Sequence, residues 1–296
     1  MFVRILFIVN PIAGTDKAKS LIPLINYKMN EAGLDYKIIT TSKPKEAIQI
    51  TRNGIKDGYD FLAAVGGDGT INEVAMGIML EGHGILGIIP GGTGNDLARS
   101  LNIPIDPEAA IDLLIKGKER SIDIGTTKQK LFLNVGSVGF DSEIVKNTEA
   151  IKKYVKSKFA YTIGLLKTLL TYKFKKIKIE LDNIVLEKSI LLVAVGNGNY
   201  YGGGMKICPM AIIDDGYFHV CVINKINKLK LFSLFPLVFN GRHQTKEKYV
   251  EFYKSKHVKI SFDEKMYLNL DGEIFYIEKE LFFSIGDKKI DIICSY

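Results

Sequence analysis

Three glycine-rich turns hold the residues best suited to chemistry. They are Asn10-Pro11-Ile12-Ala13-Gly14-Thr15, Gly66-Gly67-Asp68-Gly69-Thr70 and Pro90-Gly91-Gly92-Thr93-Gly94-Asn95-Asp96. Each follows a short apolar run, and the second and third lead into helix-period segments. Glycines in such places let a phosphate approach backbone N–H groups, and the N-terminus of the following helix favours its negative charge. Asp68 and Asp96 add a second chemistry. A carboxylate beside a phosphate repels it unless a metal cation or a hydrogen-bond network satisfies it. Thr70 and Glu73 are spaced as a T-x-x-E capping box, which accounts for that pair but not for Asp68. Asp96 stands where a helix N-cap would. Two common nucleotide motifs are absent: the chain has no GxxxxGK[ST], and GGDGT does not fit GxGxxG.

The elements that must position these turns are legible to about residue 120. Apolar runs at Ile5 to Val9, Tyr36 to Ile39, Phe61 to Val65 and Ile85 to Ile89 alternate with KAKSLIPLINYKMNEAG, PKEAIQITRNGIKDG and NEVAMGIMLEG. Strand and helix periods in alternation predict βαβ units around a mostly parallel sheet, covered on both faces. All three turns then lie at the carboxyl edge, where open α/β sheets bind ligands. After Ser121 the pattern changes. SIDIGTT, KLFLNVGS, KIKIELDN, IVLEKSILLVAVGNG, GYFHVCVIN, HVKISFD, MYLNLDGE and ELFFSIG read as closely spaced strands of an antiparallel sandwich. Helices are expected from Ser142 to about Leu170 and near Lys228 to Phe239. The boundary falls near Arg120.

Composition excludes several classes. Three dispersed cysteines, Cys208, Cys221 and Cys294, and four scattered histidines form neither a disulfide framework nor a zinc site, and fit a reducing cytoplasm. The opening MFVRILFIVN reads as a buried first strand rather than a signal peptide. No window approaches the roughly 18 apolar residues of a spanning helix. The net charge of +7 favours anionic partners, but no nucleic-acid motif accompanies it.

VGGDGTINEV, PGGTGNDLAR, the upstream NPxxG turn and a late NLDGE, taken together, resemble the diacylglycerol kinase catalytic-domain family. The likeness runs nearly the whole chain and is nearest to the bacterial soluble lipid kinases, which are similar to sphingosine and ceramide kinases. It implies transfer of the γ-phosphoryl of ATP to a lipid hydroxyl, with Mg²⁺. It implies a Rossmann-like α/β domain, residues 1–121 with the returning 287–296, and a β-sandwich domain, 122–286, with the active site in the cleft between them. Asn10, Pro11, Ile12, Ala13 and Gly14, Thr41, Gly66, Gly67, Asp68, Gly69, Thr70, Ile71 and Asn72, and Thr93 would line the ATP site. Asn95 and Asp96 would stand at its phosphate end. Asp68 is also a catalytic candidate. Asp271 or Glu273 of NLDGE would be the base that takes the hydroxyl proton, and the same DG also reads as a hairpin turn.

The resemblance implies further sites. Ile212, Asp215 and Tyr217 match a structural Mg²⁺ loop, and Asp68, Asp123 and Asp215 would form an acidic network linking that ion to the catalytic one. Ala13 stands where many members carry serine, and Lys17 and Lys19 are near enough to meet phosphate or a lipid headgroup. NKLKLFSLFPLVF (Asn227 to Phe239) and the lysine-rich stretch from Lys146 to Lys178 are the segments that could meet an anionic membrane from the cytoplasmic side. A homodimer is open. The rival readings are an NAD kinase-like phosphotransferase, which shares GGDGT, and a non-catalytic lipid or nucleotide sensor. Consumption of ATP with lipid, with NAD or not at all separates the three.

Overall fold

The computed structural model describes residues 4–152 and 157–295. Residues 153–156 of the expected 142–170 helical insertion, and the final residue 296, lie outside them. The chain divides into two compact units: Met1–Ile124 with Gly202–Gly204 and Asp287–Tyr296, and Gly125–Tyr201 with Met205–Gly286.

The first unit runs β1 (Arg4–Val9), α1 (Lys17–Ser20), α2 (Ile22–Ala32), β2 (Asp35–Thr40), α3 (Glu46–Lys56), β3 (Phe61–Gly66), α4 (Asp68–Glu81), β4 (Ile85–Pro90), α5 (Asp96–Ser100), α6 (Pro107–Lys116) and β5 (Lys118–Ile122). Its six-stranded sheet has the order β2-β1-β3-β4, then the chain's last strand, Ile290–Cys294, then β5. All pairings are parallel except that of β5. Residues 5–9 and 62–66 are buried without alternation, as strands covered on both faces must be. Helix ends carry local signals. Asp106 caps α6, accepting from the Ala109 amide at 2.9 Å, and Pro107 sits at its first position.

The chain moves outward from β1 to β2, then crosses back to β3 on the other side. The carboxyl ends of β1 and β3 therefore part, and the crevice between their turns is where such sheets take ligands. Helices α3 and α4 cross closely beside it. A methyl group at Gly77 would lie 2.6 Å from Cβ of Thr51 and 2.9 Å from the Ile48 carbonyl oxygen. Gly77→Ala is therefore expected to destabilise this unit by about 1–3 kcal/mol, read as a lower urea midpoint.

The second unit contains β6 (Gly125–Thr126), β7 (Leu131–Phe132), β8 (Val135–Gly139), α7 (Phe140–Lys152), α8 (Ser157–Thr171), β9 (Lys175–Glu180), β10 (Val185–Gly196), β11 (Phe218–Asn224), α9 (Lys228–Phe239), β12 (Val250–Ser255), β13 (His257–Phe262), β14 (Met266–Leu270), β15 (Glu273–Ile277) and β16 (Glu280–Ile285). One bent sheet orders these as β15-β14-β8-β10-β9-β13-β16-β6-β7, with β11 and β12 added beside β10. Alternation along β10 and β11 serves two cores. Val193, Val195, Val220 and Val222 face the sandwich interior with the Phe132, Phe218 and Phe283 rings. Leu192, Ala194, Cys221 and Ile223 face outward and are covered by α8 and α9.

The strand reading needs three corrections. SIDIGTT is not one strand: β5 belongs to the first sheet and β6 to the second. KLFLNVGS breaks at Leu133-Asn134, because those amides serve a side chain rather than a ladder. The strand β12, VEFYKS, gives no polar–apolar alternation and was not expected, since it packs partly on both sides.

Candidate active site

The turns after β1, β3 and β4 meet. Gly14 abuts Gly91, where an added methyl would fall 2.2 Å from the Gly91 carbonyl oxygen. Gly92 abuts Gly67, with an added methyl 2.4 Å from the Gly67 Cα. The turns are pinned by polar contacts. Asn10 Nδ2 donates to Thr70 Oγ1 at 3.1 Å, and the Ile12 amide donates to Asn10 Oδ1 at 3.3 Å. Asn95, at φ 55°, accepts from the Gly92 amide and donates to the Gly92 carbonyl, both at 3.0 Å.

Together they enclose a cavity of about 520 Å³. Of the expected ATP residues, Asn10, Pro11, Ile12, Ala13, Gly14, Thr41, Gly67, Gly69, Thr70 and Thr93 line it. Gly66, Asp68, Asn72 and Asn95 are not among its lining. Ile71 turns away: its side chain is fully buried and its amide donates to the Gly67 carbonyl at 3.1 Å. Ser42, Lys43, Pro44 and Ala47 line it without having been expected. Their signal was position, because this turn follows β2 at the same sheet edge.

Two capping expectations are corrected. Helix α4 begins at Asp68 with Gly67 as N-cap, so Thr70 lies inside the helix and makes no capping box. Glu73 instead reaches across to α3, its oxygens accepting from the Lys45 and Ala47 amides at 3.0 and 3.2 Å. Asp96 is the first residue of α5, with Asn95 at the cap. Its carboxylate accepts from the Gly203 and Gly204 amides at 2.8 and 2.7 Å.

Asp68 and Asp96 converge on Gly94. A methyl there would lie 2.8 Å from Oδ2 of Asp68 and 3.4 Å from Oδ2 of Asp96. The other Asp68 oxygen accepts from the Leu97 amide at 3.1 Å. Burial pushes the Asp96 carboxyl above the usual carboxylate range; the Gly203 amide opposes the shift and the Asp68 charge adds to it. Two hard oxygens facing a bare glycine suit a divalent cation, which would relieve that repulsion.

At the second expected ion site Asp215 has partners of its own. Oδ2 of Asp215 lies 2.9 Å from Lys254 Nζ and 3.4 Å from His219 Nε2, while Oδ1 accepts from the Tyr217 amide at 3.0 Å. In this structure Lys254, half exposed, is the cation beside the Asp215 carboxylate, in the loop that holds Ile212 and Tyr217. Asp123, buried, pairs with Lys289 at 2.9 Å. Of the residues expected in an acidic network, Asp123 and Asp215 are each paired with a lysine, and Asp68 accepts from the Leu97 amide. Among the described residues no three acidic, histidine or cysteine side chains group as metal ligands. Lys17 and Lys19 are exposed on α1.

In the second unit, Asp271 and Glu273 have different surroundings. Asp271 stands at φ 47° on the tip between β14 and β15, and its carboxylate accepts from three consecutive amides, Leu133 at 2.8 Å, Asn134 at 3.1 Å and Val135 at 2.9 Å. Glu273 opens β15, half exposed, with its carboxylate 2.6 Å from Lys130 Nζ.

Comparison with known proteins supplies the family. The diacylglycerol kinase catalytic domain model matches residues 4–127, and the YegS C-terminal NAD kinase beta sandwich-like domain model matches 134–277. The chain is 35% identical over 271 residues to a diacylglycerol kinase of Staphylococcus saprophyticus, covering 91% of this chain and 88% of that one. The chain belongs to the diacylglycerol kinase catalytic-domain family. It is therefore a kinase of a lipid kinase family. A Staphylococcus aureus diacylglycerol kinase is 34% identical, over 91% of this chain and 86% of that one. A Bacillus anthracis structure described as a diacylglycerol kinase superposes with TM-score 0.78 at 28% identity, covering 99% of this chain and 96% of that one. An NAD kinase of Archaeoglobus fulgidus, solved with ATP, shares the fold at TM-score 0.51 and 12% identity, over 98% of this chain and 93% of that one.

Membership gives the glycine contacts a use. Gly92→Ala would force Gly67 and Gly92 apart, two backbones with nowhere to give. Nucleotide affinity is expected to fall about tenfold or more, with about 1–3 kcal/mol of stability lost. Equilibrium titration with ATP and urea unfolding check both.

Proposed function

We propose that the protein transfers the γ-phosphoryl of ATP to a lipid hydroxyl, with diacylglycerol as acceptor and phosphatidic acid as product. The observation that carries this reading is the cavity walled by the turns after β1, β2, β3 and β4, with Asp68 and Asp96 converging on Gly94 beside them. The names of its relatives supply the acceptor class.

Backbone amides of the glycine turns and the start of α4 receive the phosphates. Asp68 and Asp96 would hold Mg²⁺, which neutralises charge on the transferring group. The lipid hydroxyl oxygen attacks the γ-phosphorus, the bond to the β–γ bridging oxygen breaks, and ADP leaves. Glu273 takes the hydroxyl proton. Asp271 positions the Leu133–Val135 backbone instead, since its oxygens already accept from three amides. Lys130 orients the Glu273 carboxylate.

The reaction is tested by incubating labelled ATP and Mg²⁺ with vesicles that carry diacylglycerol, monoacylglycerol, phosphatidylglycerol or a sphingoid base, with NAD in parallel. Label in diacylglycerol is expected. Label in NAD alone would replace the reading with the dinucleotide kinase. ATP binding with no acceptor labelled would favour a sensor.

A further inference from the structure

Helices α8 and α9 both pack on the outer sheet core through their inner sides, with Leu165 and Leu169 from one and Leu231, Leu234, Phe235 and Val238 from the other. Their outer sides are apolar too. Ile163, Leu166 and Leu170 form an exposed stripe on α8, and Phe232, Pro236 and Phe239 form another on α9. Spacings of three, four and seven put each set on one helical face. Single exposed apolar residues need no explanation, but two stripes on one layer do.

The charge beside them is mainly basic. Neither helix contains Asp or Glu. Exposed Lys167 lies on α8, Lys225 sits 5.7 Å over the Phe174 ring at the end of α8, and Lys230 and Lys248 sit 4.6 and 5.8 Å over Tyr249. Glu247 is the acidic residue among them. Apolar side chains flanked by lysines match the acyl boundary and headgroups of an anionic bilayer.

We infer that the outer faces of α8 and α9 form the surface on which this protein docks to anionic bilayers, with Phe232, Phe239, Leu166 and Leu170 entering the interface. The inference rests on the lipid kinase reading for its purpose, because the acceptor lies in a membrane. No helix among the described residues is long and apolar enough to cross a membrane.

The test is cosedimentation of the full chain, without nucleotide, with phosphatidylglycerol vesicles and with phosphatidylcholine vesicles. Wild type is expected to prefer the anionic vesicles and to be released by salt. Phe232→Ser with Phe239→Ser, and separately Leu166→Ser with Leu170→Ser, are expected to weaken binding about tenfold or more. Lys225→Gln, Lys230→Gln and Lys248→Gln together are expected to flatten the salt dependence. Circular dichroism checks that each variant is folded. Variants that are folded and bind like wild type overturn the inference, as does wild type that ignores anionic vesicles. Serine pairs that dissociate a homodimer in sedimentation equilibrium while vesicle binding persists also overturn it, and assign the stripes to a second copy. Because no turnover is read, vesicle binding stands even if no lipid is phosphorylated, in which case the kinase reading alone fails.

Discussion

Glu273→Gln is expected to lower kcat for phosphoryl transfer by about 10²–10⁴-fold, the usual contribution of a positioned general base. Glutamine keeps the shape and can still accept from Lys130, so neither fold nor lipid KM should change much. Asp271→Asn makes the informative contrast. Its carboxylate satisfies three consecutive amides that no strand ladder serves. Asparagine Oδ1 can still serve the Asn134 and Val135 amides, but its NH2 then faces the Leu133 N–H, donor against donor, so a loss of about 1–3 kcal/mol of stability is expected with the loss of activity. Activity and thermal unfolding measured on both variants separate the roles. If Asp271→Asn kept full stability and Glu273→Gln kept its kcat, the assignment would be reversed.

Asp68→Asn is the second large effect. Asparagine Oδ1 can still accept from the Leu97 amide, so the start of α5 should hold and stability should change by less than about 1 kcal/mol. The charge facing Gly94 is lost, however. Transfer is expected to fall by about 10²–10³-fold, of the size seen when one electrostatic partner of a transition state is removed. The Mg²⁺ concentration needed for half-maximal rate should rise with it. The Asp96 carboxyl should move back toward its ordinary range, since one cause of its upward shift is the Asp68 charge. A variant with wild-type rate and wild-type Mg²⁺ response would show that these carboxylates hold no ion during turnover.

Much of this was legible in the residues. Unbroken apolar strands and glycine turns fixed the first sheet, and placing the turns at one edge located the cavity. Where reading failed, a longer-range partner had taken a locally plausible group. Thr70 and Glu73 have the spacing of a capping box, yet Glu73 caps the neighbouring helix across the gap. Asp96 looks like a cap and instead accepts from Gly203 and Gly204, more than a hundred positions away. Asp215 has the look of an ion ligand in sequence, but its ion pair with Lys254, whose strand pairs with the one following Asp215, is not visible there. The NLDGE motif offers two carboxylates of equal rank, and their partners differ: the Leu133–Val135 amides for Asp271 and Lys130 for Glu273. Each of these depends on register between distant segments, which composition and period do not encode.

The most direct test of the account is stoichiometry. Wild-type protein is mixed with ATP, Mg²⁺ and diacylglycerol in phosphatidylglycerol vesicles, and ADP and phosphatidic acid are quantified over the same interval. Direct transfer predicts one phosphatidic acid for each ADP and little ADP when diacylglycerol is omitted. ADP released at the same rate with or without the lipid, and no phosphatidic acid, would contradict it.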